Sequence, residues 1–95
     1  MSPNNIKKLN LLRKKLDKLD YKLLNIIKVR SDLVKRVLSL KSHKKEIVDK
    51  KRINLILKKI NKESIKRKID PKITKRIWKN MIWSYIDFER RNFKK

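Results

Sequence analysis

The sequence predicts an all-α protein with three helices, one long and two of medium length, and three observations support this. No Pro or Gly occurs between Asn4 and Asp70, so no residue there breaks a helix outright. Apolar residues recur at steps of three and four, the period of an amphipathic helix. Asp70-Pro71 is a helix start signal, because Asp is a good N-cap and Pro suits the first helical position. No strand-like alternation appears, and we expect residues 1–95 to form a single domain.

The first predicted helix runs from about residue 5 to residue 40. Its apolar stripe consists of Leu9, Leu12, Leu16, Leu19, Leu23, Ile26, Ile27, Leu33, Val34, Val37 and Leu40. At 1.5 Å per residue this helix would be about 50 Å long, whereas a compact domain of this size has a radius of gyration of about 12–13 Å. The helix would therefore extend beyond its own protomer. We expect a homodimer in which a second copy covers the stripe.

Two shorter helices are predicted after a polar loop at residues 42–45. The second helix begins near Asp49, a good N-cap residue, and continues to about Lys66. The third follows Pro71 and ends in a basic segment, where the helix dipole favours cations. Its apolar residues are Ile73, Ile77, Trp78, Met81, Ile82, Tyr85, Ile86 and Phe88.

Composition excludes several kinds of site. The chain has no Cys and a single histidine, His43, so it offers neither a disulfide framework nor a thiolate or multi-histidine metal site. We expect His43 to be solvated. No apolar run approaches the roughly 18 residues of a membrane span, and residues 1–5 lack the apolar stretch of a signal peptide. The expectation is a cytoplasmic protein without a membrane partner, metal or cofactor.

The net charge of +22 is also typical of a different class, the small basic nucleic-acid-binding proteins. Lys, Ile and Asn have A/T-rich codons, and the absent Ala and Gly have G/C-rich ones, so genome composition accounts for much of the lysine. No zinc ligands, glycine-rich loop or RNP-like aromatic pattern occurs, and we expect Trp78 and Trp83 to be core or interface anchors. We expect no specific nucleic-acid partner, but this function stays an alternative, tested by binding that survives physiological salt.

Several charged residues fall where the helical period places apolar ones. The set comprises Arg13, Arg30, Lys41, Arg52 (beside Ile53) and Glu89 (one turn after Tyr85). Charged groups are rarely buried without partners, so four cations converging on a helical core should surround an anion. The alternative is that each is a boundary residue whose charged end reaches water. Because arginine can meet a carboxylate with two parallel hydrogen bonds, the set predicts a pocket for a small multi-carboxylate ligand.

Four segments, taken in order, resemble the AroQ-type chorismate mutases. Residues 12–24, LRKKLDKLDYKLL, resemble the opening LRxxIDxLDxxLL of that family. Residues 47–52 resemble its I-x-D-x-x-R motif, and residues 69–71 resemble the LDP before its last helix. Residues 77–89 correspond to the stretch that ends in a catalytic Gln or Glu. The resemblance covers nearly the whole chain with the family's spacings.

The resemblance implies an intertwined homodimer with three helices per chain and two equivalent pockets. It implies the rearrangement of chorismate to prephenate in aromatic amino acid biosynthesis, which needs no nucleophile, metal or cofactor. A family member must hold the dicarboxylate substrate in a reactive diaxial shape. It must also stabilise the negative charge that grows on the ether oxygen.

The resemblance also implies roles for individual residues. The partner subunit's Arg13, donated across the dimer, and Arg30 bind the substrate carboxylates. Lys41 donates a hydrogen bond to the ether oxygen and helps to hold a carboxylate. Arg52 orders the pocket and supports the substrate through the network around Asp49.

Three positions depart from the family pattern. Glu89 stands where many members have Gln, and a carboxyl group can donate a hydrogen bond only when it is protonated. We therefore expect activity to fall as pH rises and Glu89→Gln to flatten the pH profile of activity.

The other two departures are Ile53, which replaces a Glu that accepts the substrate hydroxyl, and Tyr85, which replaces a common Ser. These two residues resemble the isochorismate pyruvate-lyases, which form salicylate and pyruvate in a similar pocket. Asp49 and Glu89 are not usual in that branch, so lyase activity stays an alternative.

Overall fold

The computed structural model of the protein describes residues 1–94. It contains helices α1 (Pro3–Leu40), α2 (Lys50–Lys66) and α3 (Pro71–Asn92), with a 3₁₀ turn at Lys44–Glu46 between α1 and α2. No strand occurs in the part of the chain that the structure describes, so the all-helical prediction is confirmed. The expected bounds of α2 and α3 are also confirmed, and α1 begins two residues earlier than expected.

The two predicted N-caps have the expected geometry. The backbone N–H of Arg52 donates to Asp49 Oδ1 over 3.0 Å at the start of α2. The N–H of Lys72 donates to Asp70 Oδ1 over 3.0 Å at the start of α3, where Pro71 occupies the first helical position. Each carboxylate thus satisfies a backbone donor that has no partner within its own helix.

The connection between α2 and α3 is a tight turn with a left-handed residue. Lys68 has φ 58°, and its N–H donates to the carbonyl of Ile65 over 3.1 Å. The N–H of Ile69 donates to the carbonyl of Ser64 over 2.8 Å, which completes a Schellman motif. The Ser64 and Thr74 hydroxyls, both on buried residues, form a hydrogen bond of 2.7 Å. This bond joins the end of α2 to the start of α3.

The chain divides into two compact units, Met1–Leu33 and the residues from Val34 onward. The first unit contains most of α1, a helix without a single buried residue. Its large apolar side chains that are exposed include Ile6, Leu11, Leu12, Leu16, Leu19, Leu23, Leu24, Ile26, Ile27, Val29 and Leu33. The predicted apolar stripe of the long helix is therefore largely open to solvent in a single chain.

The second unit holds the core, which forms where α2 packs against α3. Ile47, Ile82 and Ile86 are its buried apolar residues. The partly buried residues packed around them are Leu38, Val48, Ile53, Ile56, Leu57 and Phe93. The predicted apolar line of α3 is confirmed at Ile82 and Ile86, whereas Ile73 and Ile77 are about half exposed.

The two tryptophans of α3 differ in burial. Trp78 is half-buried, in keeping with the expected packing role, but Trp83 is 51% exposed. Trp83 is therefore not a core anchor in the single chain, and the alternative role of an interface anchor stays a prediction. Within residues 1–94, no helix combines the length and the hydropathy needed to cross a membrane.

Candidate active site

Lys41 and Glu89 form the most buried ion pair among the described residues. Lys41 Nζ donates to Glu89 Oε1 over 3.1 Å and to Oε2 over 3.3 Å. The side chain of Lys41 is 18% exposed and that of Glu89 is 7% exposed. The other ion pairs described are exposed and join residues four positions apart. This pair joins residues 48 positions apart and therefore depends on the tertiary fold.

The register of α3 explains the burial of Glu89. It follows Ile82 by seven residues and Ile86 by three, so all three share the helix face that packs on the core. A carboxylate on that face needs a compensating charge, because burying a charge without a partner costs several kcal/mol. Lys41, the first residue after α1, provides that charge. Two of the predicted site residues, Lys41 and Glu89, therefore lie in direct contact.

An open depression lies beside this pair. Its lining residues are Lys41, Glu46, Val48, Asp49, Lys50 and Lys51. Lys41 therefore has two neighbours of interest, the buried carboxylate of Glu89 on one side and the depression on the other. The lining contains three lysines and two carboxylates, so its formal charge balance is positive by one.

Asp49 lines the depression and also caps α2. Its side chain caps α2 through the N–H of Arg52, and its carbonyl accepts from the N–H of Ile53 over 3.0 Å. The cap fixes the first turn of α2 next to Lys41. The Arg52 side chain itself is exposed.

Ile53 and Tyr85, the two departures from the family pattern, are both half-buried. Ile53 packs against the core cluster. Tyr85 lies one turn before Glu89 on α3, so the helical period places it on the same side as that carboxylate.

Arg13 and Arg30 belong to the first unit, and both lie on α1. Arg13 is exposed, and Arg30 is half-buried. Among the predicted site residues, the structure thus pairs Lys41 with Glu89 and places Asp49 in the same lining as Lys41. For Arg13 and Arg30 the structure gives a position on α1 and the exposure of each residue.

Sequence reasoning did not single out Glu46. One of its carboxylate oxygens, Oε1, accepts a hydrogen bond of 2.9 Å from the backbone N–H of His43, and Glu46 also lines the depression beside Lys41. The sequence signal for this contact is the His-x-x-Glu spacing. A Glu three residues after an N-cap residue can accept a hydrogen bond from the backbone N–H of that residue. His43 is exposed, as expected. No group of three His, Cys, Asp or Glu residues arranged to hold a metal ion occurs in the described chain.

Comparison with known protein families provides the decisive observation. The model of the family described as chorismate mutase type II matches residues 12–90. The chain belongs to the chorismate mutase type II family. The match begins one residue before Arg13 and ends one residue after Glu89, so it includes every predicted site residue. No curated protein and no solved structure is significantly similar to the chain.

Membership of the chorismate mutase family agrees with the all-helical fold and supports chorismate mutase activity in general. The corresponding enzyme class is an isomerase, and the corresponding substrate is chorismate. The match does not distinguish the mutase reaction from the isochorismate pyruvate-lyase reaction.

Proposed function

We propose that the chain rearranges chorismate to prephenate in a cationic pocket centred on Lys41. Family membership supports the reaction. The buried ion pair of Lys41 and Glu89 at the edge of an open, lysine-lined depression supports the location. A partly exposed lysine held by a buried carboxylate has a fixed position and still has room for a ligand. This pair is the single observation that carries the proposal.

The reaction requires electrostatic help rather than a covalent partner. The carbon–oxygen bond of the ether breaks while a carbon–carbon bond forms within the same molecule, and no atom is gained or lost. Negative charge grows on the ether oxygen, and Lys41 Nζ donates a hydrogen bond to it. Because Glu89 already orients Lys41, little reorganisation is needed when the charge develops, which is the basis of electrostatic catalysis.

Glu89 provides a second hydrogen bond to the ether oxygen when its carboxyl group carries a proton. In this proposal Lys41 donates hydrogen bonds both to Glu89 and to the substrate, and the substrate does not displace Glu89.

Two arginines bind the substrate carboxylates in this proposal. Arg30 acts within its own chain, and the partner subunit's Arg13 reaches the same pocket across the dimer. Each guanidinium can form two parallel hydrogen bonds with one carboxylate, so the pair holds the substrate in its reactive shape. Arg52 and Asp49 complete the polar wall of the pocket, with Asp49 also keeping the first turn of α2 in place.

The homodimer is supported by the exposure of α1. Leu16, Leu23 and Leu33 are each at least half exposed in the single chain, and no residue of α1 is buried. Contiguous exposed apolar surface of this kind marks an interaction site, and small domains often complete their cores by association. A second copy of α1 offers the same apolar stripe and is the natural cover.

The experiment follows the loss of chorismate absorbance on adding purified protein, with prephenate identified as the product. We expect Arg30→Ala to lower kcat/KM by about two orders of magnitude or more, since the loss of one preorganised charge contact commonly costs this much. Arg36→Ala is the matched control, because Arg36 is an exposed arginine on the same helix. Equal loss in both variants, or wild-type protein without turnover, would contradict the proposal.

Lyase activity is the second candidate, and Ile53 is the observation that favours it. Its apolar side chain packs against the core at the position where many mutases have a carboxylate for the substrate hydroxyl. The same protein is therefore assayed with isochorismate, following salicylate fluorescence. Salicylate formation with little chorismate turnover would assign the lyase reaction to this pocket.

A further inference from the structure

One exposed side of α3, which flanks its core face, carries a row of cations. Lys72, Arg76 and Lys79 follow one another at spacings of four and three residues, so the helical period places them on one face. No acidic residue occurs between Pro71 and Ile86. All three cations line an open depression together with Lys75 and Ile73. This surface, the outer face of α3, thus has one sign of charge along several turns.

Trp83 continues the same row. It follows Lys79 by four residues and Lys72 by eleven, which keeps it on the outer face. Its side chain is 51% exposed, although a large aromatic ring is normally among the more buried side chains. Ile82 and Ile86 occupy the core face instead, so this tryptophan lies outside both the core and the proposed pocket.

The outer face continues beyond Trp83. Arg90 follows Lys72 by 18 residues, five full turns of helix, and therefore lies on the same side. Asp87 is the acidic residue closest to Trp83 in this register, and its carboxylate is engaged by Arg91 Nε at 3.0 Å. The row therefore keeps its positive character on both sides of the ring.

The composition of this face indicates which partner fits it. Interfaces between proteins are depleted in lysine and have an apolar centre, whereas interfaces with nucleic acids are more polar and much more positive. The outer face has lysine and arginine around one ring. Cations follow a phosphate backbone, and an exposed ring stacks on an unpaired base without regard to its identity. A duplex keeps its bases stacked inside and cannot use such a ring.

We propose that the outer face of α3 binds single-stranded nucleic acid without sequence preference, with Lys72, Arg76 and Lys79 on the phosphates and Trp83 stacked on a base. This activity is separate from the chorismate pocket, because none of these four residues belongs to that pocket. It also differs from the general attraction of a chain with net charge +22, since it is local and includes an aromatic contact.

The test measures fluorescence anisotropy of a labelled oligothymidylate of about 20 nucleotides at about 150 mM salt, where diffuse surface attraction is largely screened. A triple variant, Lys72→Gln with Arg76→Gln and Lys79→Gln, is expected to bind at least about tenfold more weakly. The matched control is Lys59→Gln with Lys62→Gln and Lys66→Gln, three exposed lysines of α2 at similar spacing. It removes the same charge and should lower affinity far less. Equal losses in the two triples would overturn the proposal.

The aromatic contact is tested separately. Trp83→Leu should weaken binding of the single strand about tenfold while leaving binding of a duplex of the same length unchanged, because stacking on an unpaired base is lost. Trp83→Phe should restore most of the affinity. Circular dichroism and chorismate turnover verify that each variant is folded. No effect of Trp83→Leu, or displacement of the oligonucleotide by an equal charge of polyglutamate, would overturn the proposal, the latter in favour of an acidic protein partner.

Discussion

Glu89 illustrates how a single residue can link folding and catalysis in this chain. Its position on the core face of α3 buries it, and Lys41 provides the charge that makes the burial tolerable. Removing one partner of a buried pair typically costs about 3–5 kcal/mol, because the other charge is left uncompensated. The same two groups are the proposed donors to the substrate, so substitutions that test catalysis must keep hydrogen bonding to Lys41.

Glu89→Gln meets that requirement, since its amide oxygen can still accept from Lys41 while its NH₂ group can always donate. We expect the kcat of the wild-type protein to fall as pH rises, because a carboxyl group donates only in its protonated form. The Gln variant should have a flatter pH profile across the same range. Steady-state kinetics with chorismate at a series of pH values measures both curves. Parallel profiles for the two proteins would show that Glu89 does not donate.

At the scale of elements, the helix ends determine where the site residues lie. The cap at Asp49 positions the start of α2 beside Lys41, and Asp70 with Pro71 starts α3 in the register that buries Glu89. Between these helices, Lys68 adopts a left-handed conformation that glycine commonly occupies. The chain contains no glycine, so a residue with a Cβ occupies the left-handed position.

Lys68→Gly should therefore stabilise the protein by about 0.5–1 kcal/mol, since glycine removes the Cβ penalty at a positive φ. For a domain of this size the melting temperature should rise by about 2–8 °C. Thermal unfolding is measured by circular dichroism at equal protein concentrations, because association shifts the apparent stability. Lys62→Gly, an exposed position inside α2, is the control and should destabilise by about 1 kcal/mol. A lower melting temperature for Lys68→Gly would contradict the strain argument.

At the scale of the whole molecule, the exposed stripe of α1 and the proposed position of Arg13 lead to one experiment. Arg13→Ala and Arg30→Ala each remove one cation from every pocket of a homodimer. In a mixed dimer, the pocket that keeps Arg30 also receives an intact Arg13 from the other chain. If Arg13 acts across the interface, one pocket of each mixed dimer is therefore complete.

Unfolding and refolding the two variants together should consequently restore about a quarter of wild-type turnover, because half of the dimers are mixed and half of their pockets are complete. Each variant refolded alone serves as the control and should stay inactive. Light scattering should give a mass of about twice 11.6 kDa for the refolded mixture. A dimer without regained turnover would mean that Arg13 acts within its own chain, and a monomeric mass would exclude the shared pocket altogether.

Local sequence determined the helices. The caps at Asp49 and Asp70 and the proline at position 71 act over a few residues, so their effect is visible without the fold. The ordered family motifs were likewise predictable, because they depend on spacing along the chain, and the family match over residues 12–90 confirms them.

Tertiary structure decided the rest, because contacts between distant residues have no local signal. Only the tertiary fold shows that Glu89 of α3 meets Lys41, the residue that follows α1. The packing of α3 on α2 also leaves Trp83 half exposed while Trp78 is half-buried, although both rings lie on one helix. The left-handed Lys68 follows from the Schellman turn between α2 and α3, where a glycine would have marked the turn in the sequence. Helix boundaries thus depend on neighbouring residues, whereas the site and the outer face of α3 depend on which helix faces pack together.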